Sequence, residues 1–136
     1  MTEQPHHIES SLRFEGYMVN RVVFELNPSF TGDTAELAFT VERQVELALP
    51  ELSVTLAVDV FPNAAAQNYP FSMSLNVTGF FMLEGEGADT AQQLAEMNAV
   101  AILYPYIRAL ATTYTANANI TPLILPTINV VKMLEG

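Results

Sequence analysis

Up to about residue 88, apolar and polar side chains alternate in runs separated by turn residues, and beyond that point the period changes. The first run, Leu12 to Glu25, is rich in β-branched and aromatic residues, carries a predicted bulge or kink at Gly16, and stops at Asn27-Pro28. In the second, Leu37, Phe39, Val41, Val45 and Leu47 share one face while Glu36, Thr40, Glu42, Gln44 and Glu46 share the other, so one side of this strand is expected to be wet. Leu52, Val54, Leu56, Val58 and Val60 repeat the pattern after Pro50, and Phe71, Met73, Leu75 and Val77 repeat it after a loop from Pro62 to Pro70. Four strands in succession, with no helical period between them, predict an antiparallel sheet whose simplest order is a meander.

Asp89-Thr90 is a candidate helix cap, and the residues from Leu94 to Leu103 fit helical spacing only loosely before Pro105, which is expected to kink the helix or start a new one. Beyond it, Tyr106, Ile107, Leu110, Ala111 and Tyr114 form an apolar stripe, and Ala109, Thr113 and Ala116 form a small-residue face that another helix can approach closely, a candidate oligomer interface. Asn117 or Asn119 suits a left-handed helix cap. The stretch Ile120 to Val131 holds Pro122 and Pro126 among many β-branched residues and is expected to be extended. Strands followed by helix give an α+β fold class, and the absence of a repeat or linker gives one domain over residues 1–136, with 1–10 as a tail.

Charge changes the picture of the C-terminal part. Residues 1–89 hold sixteen of the twenty charged side chains, and residues 90–136 hold only Glu96, Arg108, Lys132 and Glu135. So few charges do not make an ordinary solvated surface, and self-association or a bound partner is expected to cover this region. For Ile120 to Val131 two readings stand, a loop packed on its own core and the wall of a binding groove. The net charge of −10 argues against nucleic acid and anionic membrane surfaces as partners. No run approaches the roughly 20 apolar residues that span a bilayer, and a soluble, cytoplasmic protein is expected.

The chemistry of catalysis is thinly represented. With no cysteine, disulfides and thiolate chemistry are excluded. His6 and His7 are adjacent in the tail and lack metal-site spacing, so no metal is expected. Gly85-Glu86-Gly87 sets an acid where a phosphate would sit, which argues against nucleotide binding. One lysine, and no histidine outside the tail, leave general acid–base and nucleophilic schemes without their usual groups, so neither a catalytic residue nor a cofactor is expected.

The stretch Ile102-Leu103-Tyr104-Pro105-Tyr106-Ile107-Arg108, followed by Pro122-Leu123-Ile124-Leu125-Pro126-Thr127-Ile128-Asn129, resembles the SecB family of protein-export chaperones. In that family an aromatic-Pro-Tyr-x-Arg helix start leads into a proline-bounded apolar crossover ending in a Pro-Val-Asn-like triplet. Phe24-Glu25 with Asn27-Pro28 resembles the end of the family's first strand, and Gly79-Phe80-Phe81 through Gly85 resembles its fourth, so the likeness covers roughly residues 11–132. The resemblance implies a four-stranded antiparallel sheet backed by a long helix and assembled as a homotetramer, a dimer of dimers. It implies an ATP-independent holdase that keeps unfolded precursor polypeptides export-competent and hands them to the SecA motor. The client groove would lie between the helix after Pro105 and the crossover, lined by Tyr104, Tyr106, Leu123, Leu125 and Ile128, with core packing as the alternative role of each.

Three departures bear on that reading. Gly136 follows soon after the crossover, so the family's second helix is expected to shrink to a turn at most, and its motor-binding tail to be missing. On the sheet face that the family presents to SecA, Glu25 is the candidate motor contact. Arg21, Ser72 and Ser74 stand where acidic or apolar contacts are expected, which weakens coupling to the motor. A SecB-like chaperone dedicated to one partner, such as an antitoxin, therefore competes with general export service. From other classes come a small apolar-ligand-binding domain anchored by Arg43, Arg108 or Tyr17, and a purely structural assembly protein.

Overall fold

The computed structural model describes residues 12–85 and 87–129. The expected tail with His6 and His7, Glu86, and the expected turn after the crossover lie outside the described residues. Strands β1 (Leu12–Leu26), β2 (Phe39–Ala48), β3 (Glu51–Val60) and β4 (Phe71–Leu83) form one antiparallel sheet in the order β1-β4-β3-β2. The predicted meander therefore holds for β2, β3 and β4 but not for β1, which lies beyond β4 in the strand order of a Greek key. The connection over residues 27–38 is long enough to cross the end of the sheet, and Asn27 ties β1 to the segment leading into β4. Its N–H donates to the Pro70 carbonyl at 2.9 Å, and its side-chain amide donates to the carbonyls of Tyr69 (2.9 Å) and Ala64 (3.2 Å). Ala64 begins α1 (Ala64–Gln67), a single turn in the β3–β4 connection.

Register sorts the side chains. Leu52, Val54, Leu56, Val58 and Val60 of β3 lie opposite Phe81, Gly79, Val77, Leu75 and Met73 of β4, and all ten are buried on one face. In β1 the strict period of two fails twice, with register shifts between Phe14 and Gly16 and between Val19 and Arg21. Each extra residue resets the phase, so that Phe14, Tyr17, Val19, Val22 and Phe24 all fall on the buried side of the sheet despite their uneven spacing. Gly16, at φ 132°, is the bulge expected there; the second was not expected.

Helix α2 (Ala88–Leu94) runs through a π-helical turn at Ala95–Ala99 into α3 (Val100–Asn117). Two expectations change here. The residue preceding α2 is Gly87, with no side-chain cap, and Asp89 sits inside the first turn, where its charge favours the positive end of the helix dipole. Pro105 does not start a new helix: α3 passes through it, and both Pro105 and Ala101, whose carbonyl loses its donor, lie on the exposed side where water can replace the bond. The buried stripe of α3 is Val100, Leu103, Tyr104, Ile107, Ala111 and Thr115, rotated from the expected one, and Tyr106 and Tyr114 are left exposed. Leu103 presses onto the sheet where Gly79 has no side chain; a Cβ there would sit 3.1 Å from the leucine Cδ1. Each fully buried Leu or Ile along this stripe contributes about 1.5–3 kcal/mol.

Helix α3 ends in a Schellman motif. Asn119 takes the left-handed conformation (φ 63°), its N–H reaches the Ala116 carbonyl at 3.2 Å, and the Ile120 N–H reaches the Thr115 carbonyl at 3.5 Å. The chain then reverses and, as expected, residues 121–129 contain no helix or strand.

Candidate functional site

The returning segment is held to α3 by a row of polar side chains spaced four, four and three residues apart, which a helix sets on one flank. The Tyr104 hydroxyl donates to the Pro126 carbonyl (2.8 Å), Arg108 Nε to the Leu125 carbonyl (2.8 Å), and the Thr112 hydroxyl to the Leu123 carbonyl (2.7 Å). The Thr115 oxygen accepts the Leu123 N–H at 2.7 Å. The crossover therefore runs antiparallel to the helix with its backbone polar groups bonded by side chains, the task that a neighbouring strand would otherwise perform. Burial pushes the Tyr104 hydroxyl above the ordinary tyrosine pKa, opposed by the positive charge of Arg108.

This ladder decides what each expected groove residue can present. Tyr104 and Leu125 are buried, Leu123 and Ile128 are half-buried, and Ile124, which was not singled out, is 70% exposed. Tyr106 is not brought to the others: two residues past Tyr104, it projects about 200° further round the helix. It packs instead against β1, with ring centroids 4.9 Å from Tyr17 and 5.4 Å from Phe14, and Phe14 in turn lies 5.2 Å from the buried Phe81. The row of rings ends in a shelf where Tyr17 (42% exposed), Tyr106 (39%) and Val19 stay open, because Leu103 settles α3 over β4 while β1 forms the edge beyond it. The crossover and this shelf flank the helix on opposite sides. Between them the small-residue face of Ala109, Thr113 and Ala116 is exposed, as are Ala101 and Pro105.

The remaining candidates separate by strand. Arg21, Ser72, Ser74 and Glu25 gather at one end of the outer face, where Arg21 pairs with Asn76 and Glu25 with Ser72, and Ser74 donates to Asp59 at 2.5 Å. Tyr17 and Arg43, two anchors of the ligand-binding alternative, sit on β1 and β2, the opposite edges of the sheet and about 14 Å apart across three strand spacings. The third, Arg108, is engaged by the crossover. Sequence reasoning missed Thr112 and Thr115 altogether and gave Arg108 no part in the crossover, although hydroxyl and cationic residues recurring at helical spacing in an otherwise apolar helix were the visible signal. No helix among the described residues is long and apolar enough to cross a membrane.

The comparisons agree with this architecture. The family model described as preprotein translocase subunit SecB matches residues 13–135. The uncharacterized protein MJ0357 of Methanocaldococcus jannaschii is 36% identical over 131 residues, which cover 93% of this chain and 84% of that protein. Among solved structures, the Mycobacterium tuberculosis SecB-like chaperone Rv1957, in complex with a ChAD peptide from the HigA1 antitoxin, superposes with a TM-score of 0.69 at 15% identity, covering 90% of this chain and 91% of that one. The fold is thus shared with that chaperone over nine-tenths of each chain, and this chain belongs to the SecB family.

Proposed function

We propose that this protein is an ATP-independent holdase that binds unfolded or precursor polypeptides in export, working as a homotetramer in the cytoplasm. Family membership and fold support a chaperone, and the observation that carries the finer reading is the apolar surface around α3, a helix whose one charged side chain, Arg108, is held to the crossover. Tyr17, Val19 and Tyr106 lie open on one flank and Ile124 on the other, with half-buried Leu123 and Ile128 beside it. A surface that must accept many sequences is better made of rings and aliphatic groups than of fixed hydrogen bonds. Burying about 300 Å² of client apolar area yields about 7 kcal/mol before ordering costs reduce it, so a single subunit holds a client weakly. Sites on several subunits touched by one chain raise the affinity through effective concentration, and the exposed Ala109, Thr113 and Ala116 face is the surface we assign to assembly.

In this reading Tyr106 on one flank and Leu123 and Ile128 on the other touch the client, while Tyr104 and Leu125 support the crossover from beneath. The test is aggregation of a chemically denatured client followed by light scattering, with sedimentation of the same samples. The wild type should suppress aggregation as an oligomer, and Tyr106→Ser should weaken suppression while sedimenting unchanged. An oligomer without suppression would leave only a structural role. A second reading, a chaperone dedicated to one partner, draws on the antitoxin peptide held by the Mycobacterium tuberculosis relative and on the serines and Arg21 at the expected motor contacts. Pull-down from native cytosol separates the two: many precursors favour export, and one stoichiometric companion favours dedication.

A further inference from the structure

A cleft of about 510 Å³ opens on the face of the sheet turned away from α3, at the end where β2 turns into β3. Toward the middle of the sheet this face carries a bonded polar patch beside the exposed Met18. The Asn20 amide donates at 2.8 Å to both Asn76 and Thr78, and the hydroxyls of Thr55 and Thr78 lie 2.7 Å apart. At the cleft the pattern changes, for Phe80, 39% exposed, and Met82 make an apolar floor. Three carboxylates rim it, Glu46 and Glu51 from the β2–β3 hairpin and Glu15 from the β1 bulge, and no basic residue lines it. Glu15 is already paired with Arg13 at 2.9 Å, whereas Glu46 and Glu51 have no hydrogen-bond or ion-pair partner among the described residues. Exposed carboxylates beside an aromatic floor complement a group that is cationic at one end and apolar at the other.

We propose that this cleft docks a polypeptide segment in which an apolar side chain stands next to a lysine or arginine, the apolar group seated on Phe80 and Met82 and the cation against Glu46 and Glu51. The acidic rim repels an anionic lipid surface, and in a two-fold contact it would face the same carboxylates of a second copy. The cleft lies on the opposite face from Tyr106, and at the opposite end of the sheet from Glu25 and Ser72, so a partner could be held here while a client is held there.

Fluorescence anisotropy with a labelled peptide of one leucine between two lysines tests the proposal, against a control in which glutamates replace the lysines. The lysine peptide should bind the wild type and the control should not. Binding should weaken about fivefold in the double variant Glu46→Gln, Glu51→Gln, whose exposed side chains leave the fold intact. It should weaken about tenfold in Phe80→Ala. Tyr106→Ser, which tests the client surface, should leave it unchanged. Failure of the lysine peptide to bind, affinity unaltered in both cleft variants, or loss with Tyr106→Ser instead would each overturn the assignment. So would dissociation of an oligomer by Phe80→Ala on sedimentation, which would make the occupant a second copy.

Discussion

Tyr104 shows how one side chain serves both the core and the crossover. Its ring is buried against the sheet while its hydroxyl reaches out of the helix to the Pro126 carbonyl at 2.8 Å. Tyr104→Phe keeps the ring and removes the donor, so it should cost about 1 kcal/mol, the usual net worth of such a bond. The measurement is the shift in urea midpoint at unchanged slope. The same hydroxyl sets an alkaline limit. Its pKa is raised by burial, so the folded state holds this proton more tightly than the unfolded chain does. The stability gained is present in full below about pH 10, the ordinary tyrosine value, and is lost as pH rises through the folded-state value. Comparing urea midpoints at neutral and alkaline pH, wild type against Tyr104→Phe, should show this loss in the wild type and a smaller one in the variant. Equal alkaline losses would assign the effect to other groups.

At the level of elements, the crossover depends on how α3 stops. Asn119 holds the left-handed residue of the Schellman motif, which turns the chain so that Leu123 meets Thr112 and Thr115. Asn119→Ala should therefore cost about 1–2 kcal/mol, the penalty of a Cβ in that conformation, and Asn119→Gly should not. Thermal melts of the two variants decide it, since equal melting points would deny the left-handed cap its role. The asparagine cap, the buried faces of β2 to β4 and the extended crossover were legible in the sequence because each follows from local period or from one residue's backbone preference. The place of β1 was not. A strand's neighbour is chosen by distant contacts such as Asn27 with Pro70, and the loop-closure cost hardly distinguishes one partner from another. The two bulges blurred its period further, one marked by a glycine and the other unmarked. In the candidate site, Tyr104 and Tyr106 both read as aromatic groove residues. Spacing two apart on a helix sends them to different flanks, and only the turn count and the packing against β1 reveal which faces the crossover.

For the whole molecule, the uneven charge distribution gives client capture two separable stages. Six of the fifteen acids lie on the described strands, Glu42, Glu46 and Glu51 among them exposed, while the surface around α3 carries almost no charge. A net charge of −10 therefore acts at long range on a basic unfolded chain and steers its approach, but the contacts that retain it are apolar and close. Salt screens the first stage, since the Debye length falls from about 10 Å at 0.1 M to about 3 Å at 1 M, and leaves the second largely untouched or slightly strengthened. Stopped-flow binding of an unfolded basic client at these two salt concentrations should show an association rate falling at high salt with a nearly constant dissociation rate. An acidic client of similar hydropathy should reverse the first trend, because screening then relieves repulsion. If both clients associate at rates indifferent to salt, steering has no part in capture and the acids serve solubility alone. If dissociation accelerates at high salt, ion pairs rather than apolar contacts hold the client, and the shelf formed by Tyr17 and Tyr106 is not where it rests.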